Sequence, residues 1–257
     1  MFSKNFNNGG TDSGVRVFVP KSNNPNSDIV LVGNFMYAID LGGGTLTVAG
    51  PDSTGVRRND IYIGRFTASG SHLWSKQYGG INDDLLFSAA LDSHGGLVLA
   101  GQFKVGTDLG GGPIGGTGVI SWDMFVAKYS AVDGSFAWAR PLTCSSSGYP
   151  YAVAVDSQDN PVITGGYNGT CKIGAQSFTA LGSAPDTDLF VAKYSGAGAL
   201  LWAESLGGIG SENSSSAAID RGNCPVIVGG FVGTANFGGT SLPAAGSADA
   251  FVLKLEP

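Results

Sequence analysis

Histidine occurs twice and cysteine three times in 257 residues, too few for most metal centres. CxxC and HExxH are both missing, so zinc ribbons and zinc peptidases are excluded. Lys and Arg number 14 against 20 Asp and Glu, a net charge of −6, which leaves no basic stripe for nucleic acid. Charged residues make up only 13%, about half the usual share, unlike a helical bundle. No run reaches the roughly 18 apolar residues of a membrane helix. Met1–Gly10 has no apolar core of a signal peptide, so the chain is either cytosolic or a mature or truncated piece of something longer. Neither a GxSxG elbow nor a phosphate-binding glycine loop is present. What abounds is glycine, 42 residues, roughly twice the usual share. With 42% apolar residues the chain is not disordered, and glycine without a three-residue period is not collagen.

The chain repeats itself. Asp123-Met124-Phe125-Val126-Ala127-Lys128-Tyr129 returns as Asp188–Tyr194, as Asp249–Leu255 and, more loosely, as Asp60–Phe66. Trp74, Trp138 and Trp202 are spaced by 64 and 64, and Phe2 takes that place at the start. Glycine followed two residues on by an aromatic recurs as Gly33/Phe35, Gly101/Phe103, Gly165/Tyr167 and Gly229/Phe231. Asp92, Asp156 and Asp220 each close a short apolar run and open a turn. These markers advance together, giving four repeats of about 64 residues.

Each repeat holds four short β-branched or aromatic runs, A to D, bounded by Gly, Asn, Asp and Ser. No sustained 3.6-residue apolar period appears. The expected fold is therefore all-β: one β-propeller domain over 1–257, with four-stranded antiparallel blades. The units are approximately 7–77, 78–141, 142–205 and 206–257, with an N-terminal strand at 1–6. Small residues in the A runs (Ser88-Ala89-Ala90, Ala152-Val153-Ala154, Ser216-Ala217-Ala218) suit a crowded inner strand. The order D, three times ABCD, then ABC implies that the N-terminal strand completes the last blade and closes the ring, or that the chain is part of a longer array.

These motifs resemble the bacterial SBBP-type β-propeller repeat. The matching residues include Asp156, Gly165, Tyr167, Asp188 to Tyr194 and Trp202. Leu41-Gly42-Gly43-Gly44, Leu109-Gly110-Gly111-Gly112 and Phe237-Gly238-Gly239 match its glycine segment. The resemblance covers nearly the whole chain and implies a large exported or cell-surface bacterial protein without a known enzyme activity. Four repeats are fewer than the family's rings, and its usual export signal is missing.

In an up-and-down blade the B–C and D–A loops share one end. The B–C connections are long and unequal, 25, 20, 21 and 18 positions from aromatic to Asp. Long variable loops on a rigid scaffold are where binding resides. Candidate binding residues on this face break the repeat: Arg57, Arg58, Asp83, Asp84, Trp122, Tyr149 and Tyr151. They offer stacking and charge to a glycan or protein partner. The repeated Asp60, Asp123, Asp188 and Asp249 read as acceptors for backbone N–H groups, and Arg65, Lys128, Lys193 and Lys254 as stems packed between blades. Cys144 and Cys171 fall near one end of adjacent blades, either as a disulfide, which would favour export, or as two thiols. Cys224 reads as a small apolar residue. No cofactor is expected. Calcium at Asp83/Asp84 is the weaker alternative, because the EF-hand and nonapeptide patterns are missing.

The expected function is a non-catalytic binding or structural module of an exported protein, monomeric or completed by a dimer. The alternative is a carbohydrate-active hydrolase or lyase using carboxylates among Glu204, Glu212, Asp83 and Asp84.

Overall fold

The computed structural model describes residues 2–6, 10–20, 27–50, 58–116, 122–183 and 185–257. The described chain is all-β, and none of its helices is long and apolar enough to cross a membrane.

The first sheet has the order β1 (Ser13–Phe18), β2 (Ile29–Met36), β5 (Asn59–Phe66), β6 (His72–Tyr78). Its second connection carries a small hairpin, β3 (Ala38–Asp40) and β4 (Thr45–Thr47). The second sheet runs β7 (Leu85–Leu91), β8 (Gly96–Phe103), β9 (Asp123–Ser130), β10 (Phe136–Cys144). The third runs β11 (Gly148–Val155), β12 (Pro161–Tyr167), β15 (Asp188–Tyr194), β16 (Leu200–Leu206). Its hairpin, β13 (Thr170–Ile173) and β14 (Gln176–Thr179), crosses over and pairs with β10, making the second sheet six-stranded. The fourth has three strands, β17 (Glu212–Ile219), β18 (Pro225–Phe231) and β21 (Asp249–Lys254), with a hairpin of β19 (Thr234–Phe237) and β20 (Thr240–Pro243). The long B–C connections therefore fold into hairpins in three of the four units.

The sheets stack in series. The inner strands β1, β7, β11 and β17 pack each on the next, and three apolar clusters fill the gaps between neighbouring sheets. Small side chains permit this approach, for Ala89, Ala152 and Ala154 are buried. Each inner strand carries a bulge, which adds twist. The glycine-aromatic marker has a steric cause. A Cβ at Gly33, Gly101, Gly165 or Gly229 would collide with the carbonyl oxygen of Ser13, Leu85, Tyr149 or Asn213 on the adjacent inner strand.

One contact recurs at the first two junctions and a second at all three. Trp74 packs on Gly134 and its indole N–H donates to Val132 O at 2.8 Å; Trp138 packs on Gly198 and donates to Gly196 O at 3.0 Å. The end of each fourth strand also meets the next unit's B–C segment: Gly79 with Asp108, Thr143 with Lys172, Gly207 with Asn236.

The closing N-terminal strand is corrected. Residues 2–6 form no strand and lie against the first sheet, with Phe6 5.4 Å from Phe66 and Phe2 against Gly70. The fourth sheet has no fourth strand among the described residues. Nor do β1 and β17 pack as consecutive inner strands do. The physical reason is tethering: only a short connection separates Phe6 from β1, and the first sheet already holds the half-buried Phe6 ring, while Phe2 rests on Gly70 and stays 46% exposed.

The repeated cations do more than pack. Arg65, Lys128, Lys193 and Lys254 are ion-paired with Asp28, Asp92, Asp156 and Asp220 at 2.8, 2.7, 3.0 and 2.6 Å. The last three aspartates also cap their turns through backbone N–H groups. In the first unit Asp28 fills the space that Gly96 leaves open in the second, where a Cβ would meet Asp92 and Lys128.

Candidate functional site

The end of the stack that carries the B–C and D–A loops brings the predicted residues into three linked groups. In the first, the Arg58 guanidinium lies 3.2 Å from Asp83, and Asp83 also accepts the backbone and side-chain N–H of Asn59. Arg57 lies outside the described residues. In the second, the Lys104 ammonium stands 4.3 Å from the Trp122 ring centroid, within cation–π range. The third is an aromatic row: Tyr149 and Tyr151 stack at 5.9 Å with 7° between planes, and Phe87 meets Tyr151 edge-on at 6.1 Å. All three rings are half-buried.

Backbone contacts join the groups. Asn82, beside Asp83, donates to Val105 O, next to Lys104, at 2.9 Å. Trp122 bridges to Ser147 and accepts the Gly148 N–H at 3.1 Å, which leads into β11 and Tyr149. A polar and aromatic band thus runs from Arg58 to Tyr151 across the first three units. Lys104 and Phe87 belong to it, though neither carries a signal that a single sequence would single out.

Asp84 does not face solvent. It is fully buried, its Oδ2 accepts the Gly80 N–H at 2.7 Å, and its Oδ1 lies 2.5 Å from the Thr107 hydroxyl. Across Gly79 stands the buried carboxyl of Asp60, and both come within 3.0 Å of where a Gly79 Cβ would be. Two units on, Glu212 and Asp188 face each other across Gly207 in the same way. One oxygen of each of Asp60, Asp188 and Glu212 is buried without a hydrogen-bond partner. Burial pushes Asp60 to about 7, with the nearby Asp83 adding to it and the Ala49 N–H opposing it. Burial likewise pushes Asp84 to about 8, Asp188 to about 6 and Glu212 to about 7. The Thr107 hydroxyl lies near both Asp84 Oδ1 and Lys104 O but has a single proton. A protonated Asp84 that donates to Thr107 would satisfy both. The sequence signal for these pairs is Gly79-Gly80-Ile81-Asn82-Asp83-Asp84 against Gly207-Gly208-Ile209-Gly210-Ser211-Glu212.

The middle junction is built differently. Gly148 replaces the second acid, and Cys144 and Cys171 are joined by a disulfide between β10 and β13. Both half-cystines are fully buried, and Asp123 accepts the Cys144 N–H at 2.7 Å. Cys224 is a half-buried free thiol in a turn.

Glu204 is exposed on β16, whereas Glu212 and Asp84 sit in separate junctions. Among the described residues no three His, Cys, Asp or Glu side chains are grouped to hold a metal ion. At the opposite end of the stack lies a cavity of about 790 Å³ lined by Phe18, Arg65, Leu91, His94 and Val155. His94 there contacts Asp159 of the next unit, and Ser93 lies 3.1 Å from His94. Both partners meet the same ring nitrogen, Nδ1, whereas a nucleophile triad needs one on each nitrogen. The contact is an inter-sheet clasp. Ser157 repeats it by donating to Asn223 at 2.8 Å.

No family model matches the chain. It is similar to an uncharacterised WD repeat-containing protein, L264, of Acanthamoeba polyphaga mimivirus, at 26% identity over 200 residues. That similarity takes in 68% of this chain but only 14% of the viral protein. The described chain is a β-rich repeat protein, and this distant relative is one whose name also carries repeats.

Proposed function

We propose that the four sheets are blades of a β-propeller, and that the chain is a non-catalytic binding module of an exported or cell-surface protein. The serial packing of the inner strands supports the propeller reading, as does the similarity to a WD repeat-containing protein. The resemblance to the SBBP-type repeat points to a bacterial surface protein. The disulfide favours an oxidising compartment.

The observation that carries the binding reading is the band from Arg58–Asp83 through Lys104–Trp122 to Tyr149–Tyr151. Flat rings beside paired charges match the two faces of a sugar or the side chains of a peptide. Its partner is a glycan or a protein. The test is to probe glycan and peptide arrays with the wild type, Trp122→Ala and the double variant Tyr149→Ala/Tyr151→Ala. A ligand held by the wild type and weakened roughly tenfold or more by either variant fits the reading. A ligand whose binding survives both variants places the site elsewhere.

A further inference from the structure

The same positions are sealed in three units and bare in the fourth. Val32, Ala100 and Thr164 are fully buried, yet Val228 at the equivalent place is 42% exposed. Ile63, Val126 and Val191 are fully buried, yet Val252 is 73% exposed. The repeated cation shows the same contrast, for the side chains of Arg65, Lys128 and Lys193 are 19%, 14% and 7% exposed and that of Lys254 59%. In the first three units the following unit supplies the cover. Among the described residues nothing covers the fourth, and the outer edge of β21 has no strand beside it.

The matching half of such a junction lies at the other end of the stack. Phe2 packs on Gly70 as Trp74 packs on Gly134 and Trp138 on Gly198. Residues 2–6 thus lie where the fourth strand of a preceding unit would lie, without a third strand to pair with. In the three complete units the tryptophan stands opposite the cation of the third strand: Trp74 with Arg65, Trp138 with Lys128, Trp202 with Lys193. Phe2 would therefore stand opposite Lys254, and Lys4 opposite Val252. The cation also has an acceptor waiting. Arg65 and Lys128 donate to carbonyls in the next unit's turn, Val132 O and Gly196 O, and the equivalent carbonyl on the first unit belongs to Ala68.

We infer that a second copy of this chain docks head to tail on the fourth sheet. Its residues 2–6 add to β21 as the missing strand, and its first sheet covers Val228 and Val252. The interface continues the one that the chain already builds three times within itself. Strand addition satisfies the open edge, and the apolar face supplies the area. Closure within one chain is disfavoured because residues 2–6 are tethered at the far end of the stack, away from β21.

The test is cysteine pairing in a Cys224→Ser background, with the native disulfide left in place. One chain carries Lys4→Cys, and a second, isotopically heavy chain carries Val252→Cys. Both positions are exposed, so neither change disturbs a core. Mild oxidation of the mixture is expected to give a light–heavy dimer with a 4–252 bridge, identified by mass spectrometry. Light scattering of the wild type is expected to show mass rising with concentration, and Val252→Glu is expected to weaken that association about tenfold or more without lowering the melting temperature. A bridge that forms only within a chain carrying both cysteines overturns the proposal in favour of self-closure. Failure to form the 4–252 bridge in the mixture, with a mass that stays monomeric, overturns it outright.

Discussion

The carboxyl groups of Asp60 and Asp84 both face Gly79, Asp60 Oδ1 and Asp84 Oδ2 each within 3.0 Å of where its Cβ would stand, one from the first sheet and one from the entry to the second. A proton held between them would satisfy the oxygen of Asp60 that lacks a partner. Asp188 and Glu212 repeat the arrangement two units later, so a property of one pair is doubled in the fold.

Stability is expected to fall with rising pH. The four acids have folded values raised to between about 6 and about 8, above ordinary carboxyl values near 4. The unfolded chain releases these protons first, so their contribution is full at about pH 4 and is lost as pH rises through about 8. Thermal melts between pH 5 and pH 9 should fall by roughly 5–10 °C. Asp84→Asn and Glu212→Gln together should flatten that slope. An unchanged slope in the double variant would rule out this origin.

Acid should weaken the fold through other groups. Lys254 and the Cys224 N–H hold Asp220 near 2, and hydrogen bonds from Asn160 and Lys193 outweigh burial to lower Asp156. These contributions are present above ordinary carboxyl values and are lost as pH falls below about 4. A melting maximum near pH 5 is the combined expectation, read by circular dichroism across pH 2–9.

Reducing the Cys144–Cys171 bridge should cost about 2–4 kcal/mol, the range for a loop of its 27-residue span. Both half-cystines are fully buried, so reduction under native conditions should be slow and should speed up in mild denaturant. Urea titrations with and without reductant measure both effects. Rapid reduction in the absence of denaturant would mean that this junction opens readily.

Gly165→Ala should be severely destabilising, because its Cβ would strike the Tyr149 carbonyl, a backbone atom on a buried inner strand. A loss of roughly 3 kcal/mol or failure to fold is expected. Gly115→Ala meets nothing within 4 Å and should stay within about 0.5 kcal/mol of wild type. Comparable midpoints for the two variants would contradict the steric account of the glycine-aromatic motif.

Trp138→Ala should cost about 3–5 kcal/mol, since the ring covers Gly198 and its N–H bonds to the next unit. Trp138→Phe keeps the ring contact and loses only the hydrogen bond, so it should recover more than half of that loss. Equal losses in the two variants would assign the effect to the hydrogen bond.

The repeat was legible because its markers answer to local geometry. The glycine lies where two strands cross, the tryptophan on the next unit's turn, and the aspartate on its own turn's N–H groups. Asp84 looked like a surface acid because its neighbour Asp83 is one. Only the match of Gly79–Asp84 to Gly207–Glu212 betrays its burial. The lysine–aspartate pairs were partly hidden, since each joins residues separated by a whole loop. The crossing of β13 to β10 has one sign in the sequence, the candidate pairing of Cys144 with Cys171, and no sign in the strand pattern itself. It depends on which sheet edge is nearest after packing, a long-range outcome that strand patterns do not encode. That residues 2–6 stay beside the first sheet without forming a strand depends on packing in the same way.

The crossing hairpin divides the molecule mechanically. Stretched from its ends, the stack can peel at its first and fourth sheets, where neighbours hold by side chains and a few isolated backbone bonds rather than a ladder. The second and third cannot part that way, because β13 belongs to one by sequence and to the other by hydrogen bonding, and the bridge rivets the two together. Under load the chain would behave as a rigid two-sheet block flanked by two extensible ends.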